Sequence, residues 1–310
     1  MPRNFQFDAQ AATGFVVEQS AHIETEVNRT VYPEIQYPGL IPVDTSAHPM
    51  TKTVVFYSSD MFGKADWING NSDDIPLAGT ERTQFQSSVY TAGIGYAFGW
   101  EEVQQAMRDG INLQAEDAIA ARRAYEEMVD NVAFKGDARK AMNGLMNYPG
   151  ITIQAIPNGD WDNPTTTEDQ MLADVNAMIL GVATDTLYTS VSDTLLLPPS
   201  KIMSLATKRL GDTTSTVMEF LLKNNVYTLT TGQQLTIRGV LGLETAGAGG
   251  TARMIAYRRN PQVLKMHIPM PHRFFPVWQS GPLNWEVPGV FRLGGLDIRR
   301  PKEVRYGDGI

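Results

Sequence analysis

Residues 114–150 read QAEDAIAARRAYEEMVDNVAFKGDARKAMNGLMNYPG. Ala118, Ala121, Tyr125, Met128 and Val132 recur at intervals of three and four, which gathers side chains on one face of an α-helix. The stretch is Ala-rich and holds no Gly or Pro before Gly136. Glu116 and Asp117 suit the positive end of a helix dipole, Lys135 suits the negative end, and Gly136 supplies a stop. The spacing predicts a helix of about 20 residues and about 30 Å, long for a globular domain. A Gly-Asp turn follows, then Gly144-Leu145-Met146-Asn147 and Pro149-Gly150.

Composition narrows what such a helix can serve. A chain of 310 residues can bury a sizeable core, here expected in two lobes. Ordinary hydrophobic content argues against wholesale disorder. No window holds the roughly 18 apolar residues of a membrane span, and MPRNFQFDAQ lacks the apolar segment of a signal peptide. The absence of cysteine excludes disulfides, thiolate metal sites and thiol nucleophiles, and fits a reducing cytoplasm. A net charge of -8 argues against a broad duplex-binding surface, though not against enclosing DNA with light contact.

Amino-terminal to the helix, prolines 33, 38, 42 and 49 break regular structure in residues 1–50, yet Tyr32, Ile35, Tyr37, Leu40, Ile41 and Val43 need cover. Two readings stand: a strap packed on its own domain, or an arm lying on a neighbour. Residues 51–59 and 84–98 read as strands around a polar tip at 61–83, where Asn69-Gly70 and Asp73-Asp74 supply turn chemistry. A two-stranded hairpin is marginal alone, so its length implies something outside lying against it. Trp100–Asp109 reads as a short helix ended by Gly110.

Beyond the long helix, 151–164 reads as a loop. Thr165 and Glu168 form a capping box, opening a helix with Met171, Val175, Met178 and Val182 on its core face. Thr194–Leu197 reads as a buried strand, and Pro198-Pro199-Ser200 starts another helix. Gly211-Asp212-Thr213 breaks and recaps before a helix at 217–223. Strands are expected at 226–230 and 234–240, then a hairpin turn at 245–251, TAGAGGT. The last sixty residues are β-rich. Strands are expected at Met254–Tyr257, Trp285–Val290 and Leu296–Ile298, with Leu264, Met266 and Ile268 alternating against Lys265 and His267. Prolines mark their edges and turns.

Chemistry-bearing constellations are sparse. His267 and His272 are the only close pair among His22, His48, His267 and His272. Their spacing across two prolines is not that of a helical zinc motif, so a surface or hydrogen-bonded role is expected. Glycines 93, 95 and 99 lack the spacing of a nucleotide loop, and no Lys-Ser/Thr pair follows TAGAGGT. A G-x-S-x-G nucleophile elbow is absent. Asp130 and Asp137 are expected to make structural hydrogen bonds, while Arg122–Glu126 and Arg123–Glu127 have i, i+4 spacing. No catalytic, cofactor-binding or metal residues are assigned, and no enzyme activity is expected.

The order of elements carries more than any motif: proline-rich arm, long hairpin, short helix, long helix, mixed α lobe, closing β segment. With Phe98-Gly99-Trp100-Glu101-Glu102-Val103, the stretch from Asp130 through Gly136 to Gly150, Asp193–Pro199 leading to Met203 and Leu205, Gly250–Tyr257, and Arg292-Leu293-Gly294-Gly295 with Pro301, the chain resembles tailed-phage major capsid proteins. Their Hong Kong ninety-seven capsid fold is shared with encapsulins. The resemblance spans nearly the whole chain and implies an α+β fold with a spine helix, an extended hairpin loop, and peripheral and axial domains. Residues 1–50 would be an amino-terminal arm, 51–99 the extended loop, 100–164 and 251–310 the peripheral domain, and 165–250 the axial domain.

The function implied is a shell of pentamers and hexamers enclosing double-stranded DNA, contacted weakly, in a virion assembled in the host cytoplasm. The alternative is an encapsulin-type compartment around a cargo enzyme. Some family members carry a charged scaffolding segment ahead of the arm. This chain starts almost at the arm, so the resemblance implies a separate scaffolding protein unless that segment was removed, together with a portal and a decoration protein. Others cross-link subunits through Lys and Asn; Lys64 lies in the loop, but nothing local singles it out.

Overall fold

The computed structural model describes residues 32–68, 75–109, 113–163, 165–211 and 213–310. Residue contacts separate Met1–Glu34 from Ile35–Ile310, and the second unit carries the fold. It opens with a helical turn α1 (Tyr37–Leu40) and strand β1 (Val43–Asp44), then the long strands β2 (Thr53–Phe62) and β3 (Gly79–Ser88). Strands β4 (Tyr90–Gly93) and β5 (Tyr96–Gly99) lead to α2 (Trp100–Asp109) and the spine helix α3 (Leu113–Phe134). After β6 (Gly136–Asp137), β7 (Met142–Asn143) and β8 (Thr152–Ala155) come α4 (Glu168–Asp185), β9 (Thr194–Leu197), α5 (Pro199–Thr207), α6 (Val217–Lys223), α7 (Val226–Thr231) and β10 (Thr236–Gly239). The closing strands are β11 (Arg253–Tyr257), β12 (Leu264–His267), β13 (Met270–Phe274), β14 (Trp278–Gln279), β15 (Asn284–Val287), β16 (Gly289–Leu293), β17 (Gly295–Ile298) and β18 (Val304–Asp308).

A five-stranded mixed sheet, ordered β10-β9-β11-β18-β8, forms a wall between two apolar cores. Leu196, Ile255, Tyr257, Val304 and Tyr306 face one core, while Leu195, Leu197, Met254 and Ala256 face the other. That alternation is the two-residue period of a strand with both faces covered, and it explains why β9 and β11 read as unbroken apolar runs. A slip of one residue would exchange the two sets, so register is strongly specified. The first core takes Tyr125, Val129, Val132, Ala133 and Phe134 from α3. The second takes Met171, Val175, Met178, Ile179 and Val182 from α4. Burial of each large side chain contributes about 1.5–3 kcal/mol. Segments 165–250 and 251–310 thus share one sheet, through β9 and β10 from the first and β11 and β18 from the second.

The spine helix ends in a built socket. Gly136 takes a left-handed φ of +79°, and the chain doubles back so that Leu145 N–H donates to Ala133 O (2.8 Å) and Met146 N–H to Phe134 O (2.9 Å). Asn147 Nδ2 donates to Lys135 O (3.0 Å). A Cβ on Gly144 would sit 2.3 Å from Phe134 O, which requires glycine there. These contacts satisfy carbonyls that a helix leaves unpaired. The socket is then tied to the wall: Tyr306 Oη donates to Leu145 O (2.6 Å), and Arg253 Nη1 donates to Met146 O (2.6 Å). Arg253 also forms a buried two-pronged pair with Asp308, at 2.6 and 2.8 Å.

The strap residues Ile35, Tyr37, Leu40 and Ile41 pack into the subunit's own core, whereas Val43 and Met50 are exposed. Asp130 Oδ1 accepts from Gln36 and Tyr37 N–H (3.0 and 2.9 Å), and Tyr37 Oη donates to Glu126 (2.7 Å). Tyr37, Leu40 and Ile41 are buried in the first core, and β1 pairs in parallel with β12. The packed-strap reading therefore holds for 35–50, while 1–31 lie outside the described residues.

Several local expectations are corrected. The 151–164 loop contains β8, which gains its ladder only from β18 at the other end of the chain. The capping box is Thr167 with Gln170; Thr165 instead bonds Asn163. Residues 226–231 are helix, because Asn225 Oδ1 accepts from Thr228 N–H (2.8 Å) and nucleates a turn despite β-branched neighbours. TAGAGGT is no hairpin turn: it crosses from β10 to β11, which lie on opposite sides of β9. Residues 84–98 divide among β3, β4 and β5, and 285–290 break at Pro288 into strands of two different sheets.

Burial pushes the Asp308 carboxyl up, but the hydrogen bonds from Arg253 and Ala248 N–H outweigh it and hold the group below its ordinary value. A carboxyl depressed in this way stabilises the fold above about pH 4 and loses that contribution as pH falls. Asp308→Ala strands a buried guanidinium, at an expected cost of about 3–5 kcal/mol. Urea unfolding of the dissociated subunit at pH 7 checks this, and the variant should lose less further stability between pH 5 and pH 3 than the parent chain.

Candidate assembly interface

Strands β2 and β3 pair without a break from Thr53↔Ser88 to Phe62↔Gly79. Ten residues of extended chain make a ribbon about 34 Å long. This ladder is longer than the sequence suggested, since Met61, Phe62 and 79–83 belong to it and the tip shrinks to 63–78, of which 69–74 lie outside the described residues. Among the described residues, neither face is covered along most of its length. Met61 is 81% exposed, Leu77 85% and Trp67 100%, with Tyr57 and Phe62 also open. So much apolar surface on a projecting ribbon marks a contact surface rather than a solvated loop.

Among the described residues, the ribbon is held at its base. Ser87 Oγ donates to Gly294 O (2.7 Å). The rings of Phe56 and Phe85 stack with centroids 5.1 Å apart, and the Arg299 guanidinium lies 4.6 Å from the Phe56 centroid. Arg299 in turn donates to Asp297 (3.1 Å). A second exposed apolar patch lies on the sheet β14-β15-β5 and its flanks, with Phe275, Val277, Trp278 and Leu283 open to solvent. Sequence reading missed this one. The signal was present as aromatics clustered among prolines 276 and 282, but a strand edge and a core strand look alike in composition.

The residues weighed for chemistry are occupied structurally. A Cβ on Gly95 would lie 2.3 Å from Val287 O, so that glycine serves close strand approach. In TAGAGGT, Ala248 N–H donates to Asp308 (2.9 Å), which takes an amide an anion would need. His272 stacks on Tyr125, with centroids 5.3 Å apart, and its Nε2 lies 3.0 Å from Ile94 O. His267 is 2% exposed rather than at the surface, between Asp44 (3.7 Å) and Asp297 (3.5 Å). The two histidines thus sit in separate surroundings, and the buried Nε2 of His267 has no hydrogen-bond partner among the described residues, so the expected surface or hydrogen-bonded role fails for His267. His48 Nδ1 accepts from Met50 N–H (3.1 Å), and His22 lies outside the described residues. Among the described residues, no three His, Asp or Glu side chains are arranged to hold a metal ion. Arg123 pairs with Glu127 (2.9 Å), whereas Glu126 serves the strap through Tyr37. Asp137 accepts from Arg139 N–H (2.9 Å).

The family described as Major capsid protein matches residues 63–310. No curated protein matches the chain. Among solved structures, the chain is similar to the capsid of Myoviridae phage XM1, with a TM-score of 0.79 and 18% identity over 94% of this chain and 98% of that one. It is also similar to a chain of Microbacterium phage Oxtober96, with a TM-score of 0.63 and 11% identity, covering 97% and 99%. A virus-like particle from Pyrococcus furiosus matches with a TM-score of 0.50 and 12% identity over 87% and 91%.

The base anchor is open to a direct test. In a double-mutant cycle, Phe56→Ala and Arg299→Ala should couple by about 0.5–1 kcal/mol, the scale of a partly exposed cation–π contact. Urea midpoints of the four dissociated subunits measure it, and additive effects would remove Arg299 as the anchor.

Proposed function

This chain belongs to the major capsid protein family, and from that premise we propose that its copies form the pentamers and hexamers of a tailed-phage head around double-stranded DNA. The observation that carries the reading is the uncovered apolar ribbon of β2 and β3, which leaves the chain incomplete by itself. Laid over an adjacent subunit, the ribbon gains a covered face, and many such modest contacts add up over a closed lattice. The family's role is structural rather than catalytic. The net charge of -8 suits a container whose wall does not hold its DNA tightly.

In this reading the amino-terminal segment reaches a neighbour through residues before Ile35. Residues 100–164 and 251–310 form the peripheral domain, and 165–250 the axial domain that meets at the five- and six-fold axes. The wall sheet that both segments share would make them move as one body. A separate scaffolding protein, a portal and a decoration protein complete the particle, which assembles in the host cytoplasm. No helix among the described residues is long and apolar enough to cross a membrane. The family match favours this reading over a cargo compartment.

Deleting Ser58–Thr83 and joining the ends with a short Gly-Ser turn tests the ribbon's part. The shortened chain should fold, with a thermal unfolding transition within a few degrees of the parent subunit, yet form no closed shells by electron microscopy. Normal shells from it would overturn the ribbon's role.

A further inference from the structure

The two ends of the ribbon are chemically complementary, and one chain does not bring them together. At the tip, Trp67 is 100% exposed beside Asp66, whose Oδ1 accepts from Trp67 N–H (2.8 Å). At the base, a groove of about 470 Å³ opens between the ribbon and the β6–β7 turn, lined by Phe56, Phe85, Lys140, Met142, Tyr148 and Arg299 among others. That volume falls within the roughly 300–1,000 Å³ of pockets that accept a small ligand. Its walls are aromatic and its cations face rings: Lys140 Nζ lies 5.0 Å from the Tyr90 centroid, and the Arg299 guanidinium 4.6 Å from that of Phe56. Indole is the aromatic ring that attracts a cation best, and it buries about 150–250 Å² when enclosed. The continuous ladder carries Phe62 about 20 Å beyond Phe56, and Trp67, fully exposed, does not fill the groove of its own chain.

We propose that Trp67 of one copy docks in the ribbon-base groove of the adjacent copy, with Asp66 set against Lys140. The inference rests on the shell reading and names the parts that meet in it. Charge complementarity supports a second copy as occupant: the tip carries Lys64 as well as Asp66 and the groove carries Asp297 as well as Lys140, but Asp297 is paired with Arg299 (3.1 Å), which leaves Lys140 to meet the Asp66 carboxylate. The contact is head-to-tail, tip to base, which generates a ring wherever the rotation closes. Each subunit then gives one indole and receives one.

Hydroxyl-radical footprinting of unmodified particles and of dissociated subunits tests the first half. Trp67 should oxidise at least about tenfold more slowly in the particle, a drop expected of a side chain passing from open water into a closed groove. Equal rates overturn the proposal. Because the chain has no cysteine, Trp67→Cys/Lys140→Cys gives a clean disulfide readout. Oxidised particles should yield a ladder of linked subunits on a denaturing gel, and each single variant should yield none. If the pair does not assemble, a carbodiimide on unmodified particles, which joins a carboxylate to an amine, should link Asp66 to Lys140 in peptides read by mass spectrometry. A protected Trp67 with no link to residue 140 places the tip on another surface or on residues 1–31, overturning the groove while the shell reading stands. An unmodified chain that never assembles overturns both.

Discussion

The fold depends on how the carboxyl end of the spine helix is tied to the wall sheet. A helix of 22 residues has leverage, and its last carbonyls must find partners before anything can be built beyond it. The 144–147 turn supplies them, and Tyr306 and Arg253 then take the carbonyls of that same turn. Arg253 is charged and buried, so Asp308 is needed opposite it. One small polar network thereby sets where helix, turn and sheet stand relative to each other. The two apolar cores fill in on either side of the wall.

From that fixed body the ribbon departs, and its physics is the reverse. The wall has both faces covered; the ribbon has almost none. Its pairing is continuous, so its direction is defined, but beyond Phe56 and Phe85 its apolar side chains are largely exposed among the described residues. Phe56, Phe85 and Arg299 hold its root. The contrast is between a body with two closed apolar cores and a projection whose apolar side chains are largely exposed.

Much of this was legible in the residues, for reasons that differ by element. The spine helix announced itself because Ala121, Tyr125 and Val132 share a face and Gly136 stops the run; α4 did so through Met171, Val175, Met178 and Val182. Both are local patterns. What escaped was decided elsewhere. Strand β8 exists because β18, some 150 residues away, pairs with it. Helix α7 is set by one side chain, Asn225, against the propensity of Val226, Thr228, Thr230 and Thr231. The ribbon's outer half looked like loop because strand patterning reports burial, and this strand buries little within its own subunit. The long hairpin itself followed from the residues, while the exposed aromatic patch at 275–283 did not.

The central claim is that the ribbon gains its protection from neighbouring copies rather than from its own body. Amide hydrogen exchange, compared between dissociated subunits and assembled particles, measures this element by element. The backbone amides of 53–62 and 79–88 should exchange within seconds to minutes in the free subunit, while those of β9, β11 and β18 stay protected, and should slow by at least about a hundredfold on assembly. A ribbon already as protected in the free subunit as the wall sheet would contradict the claim.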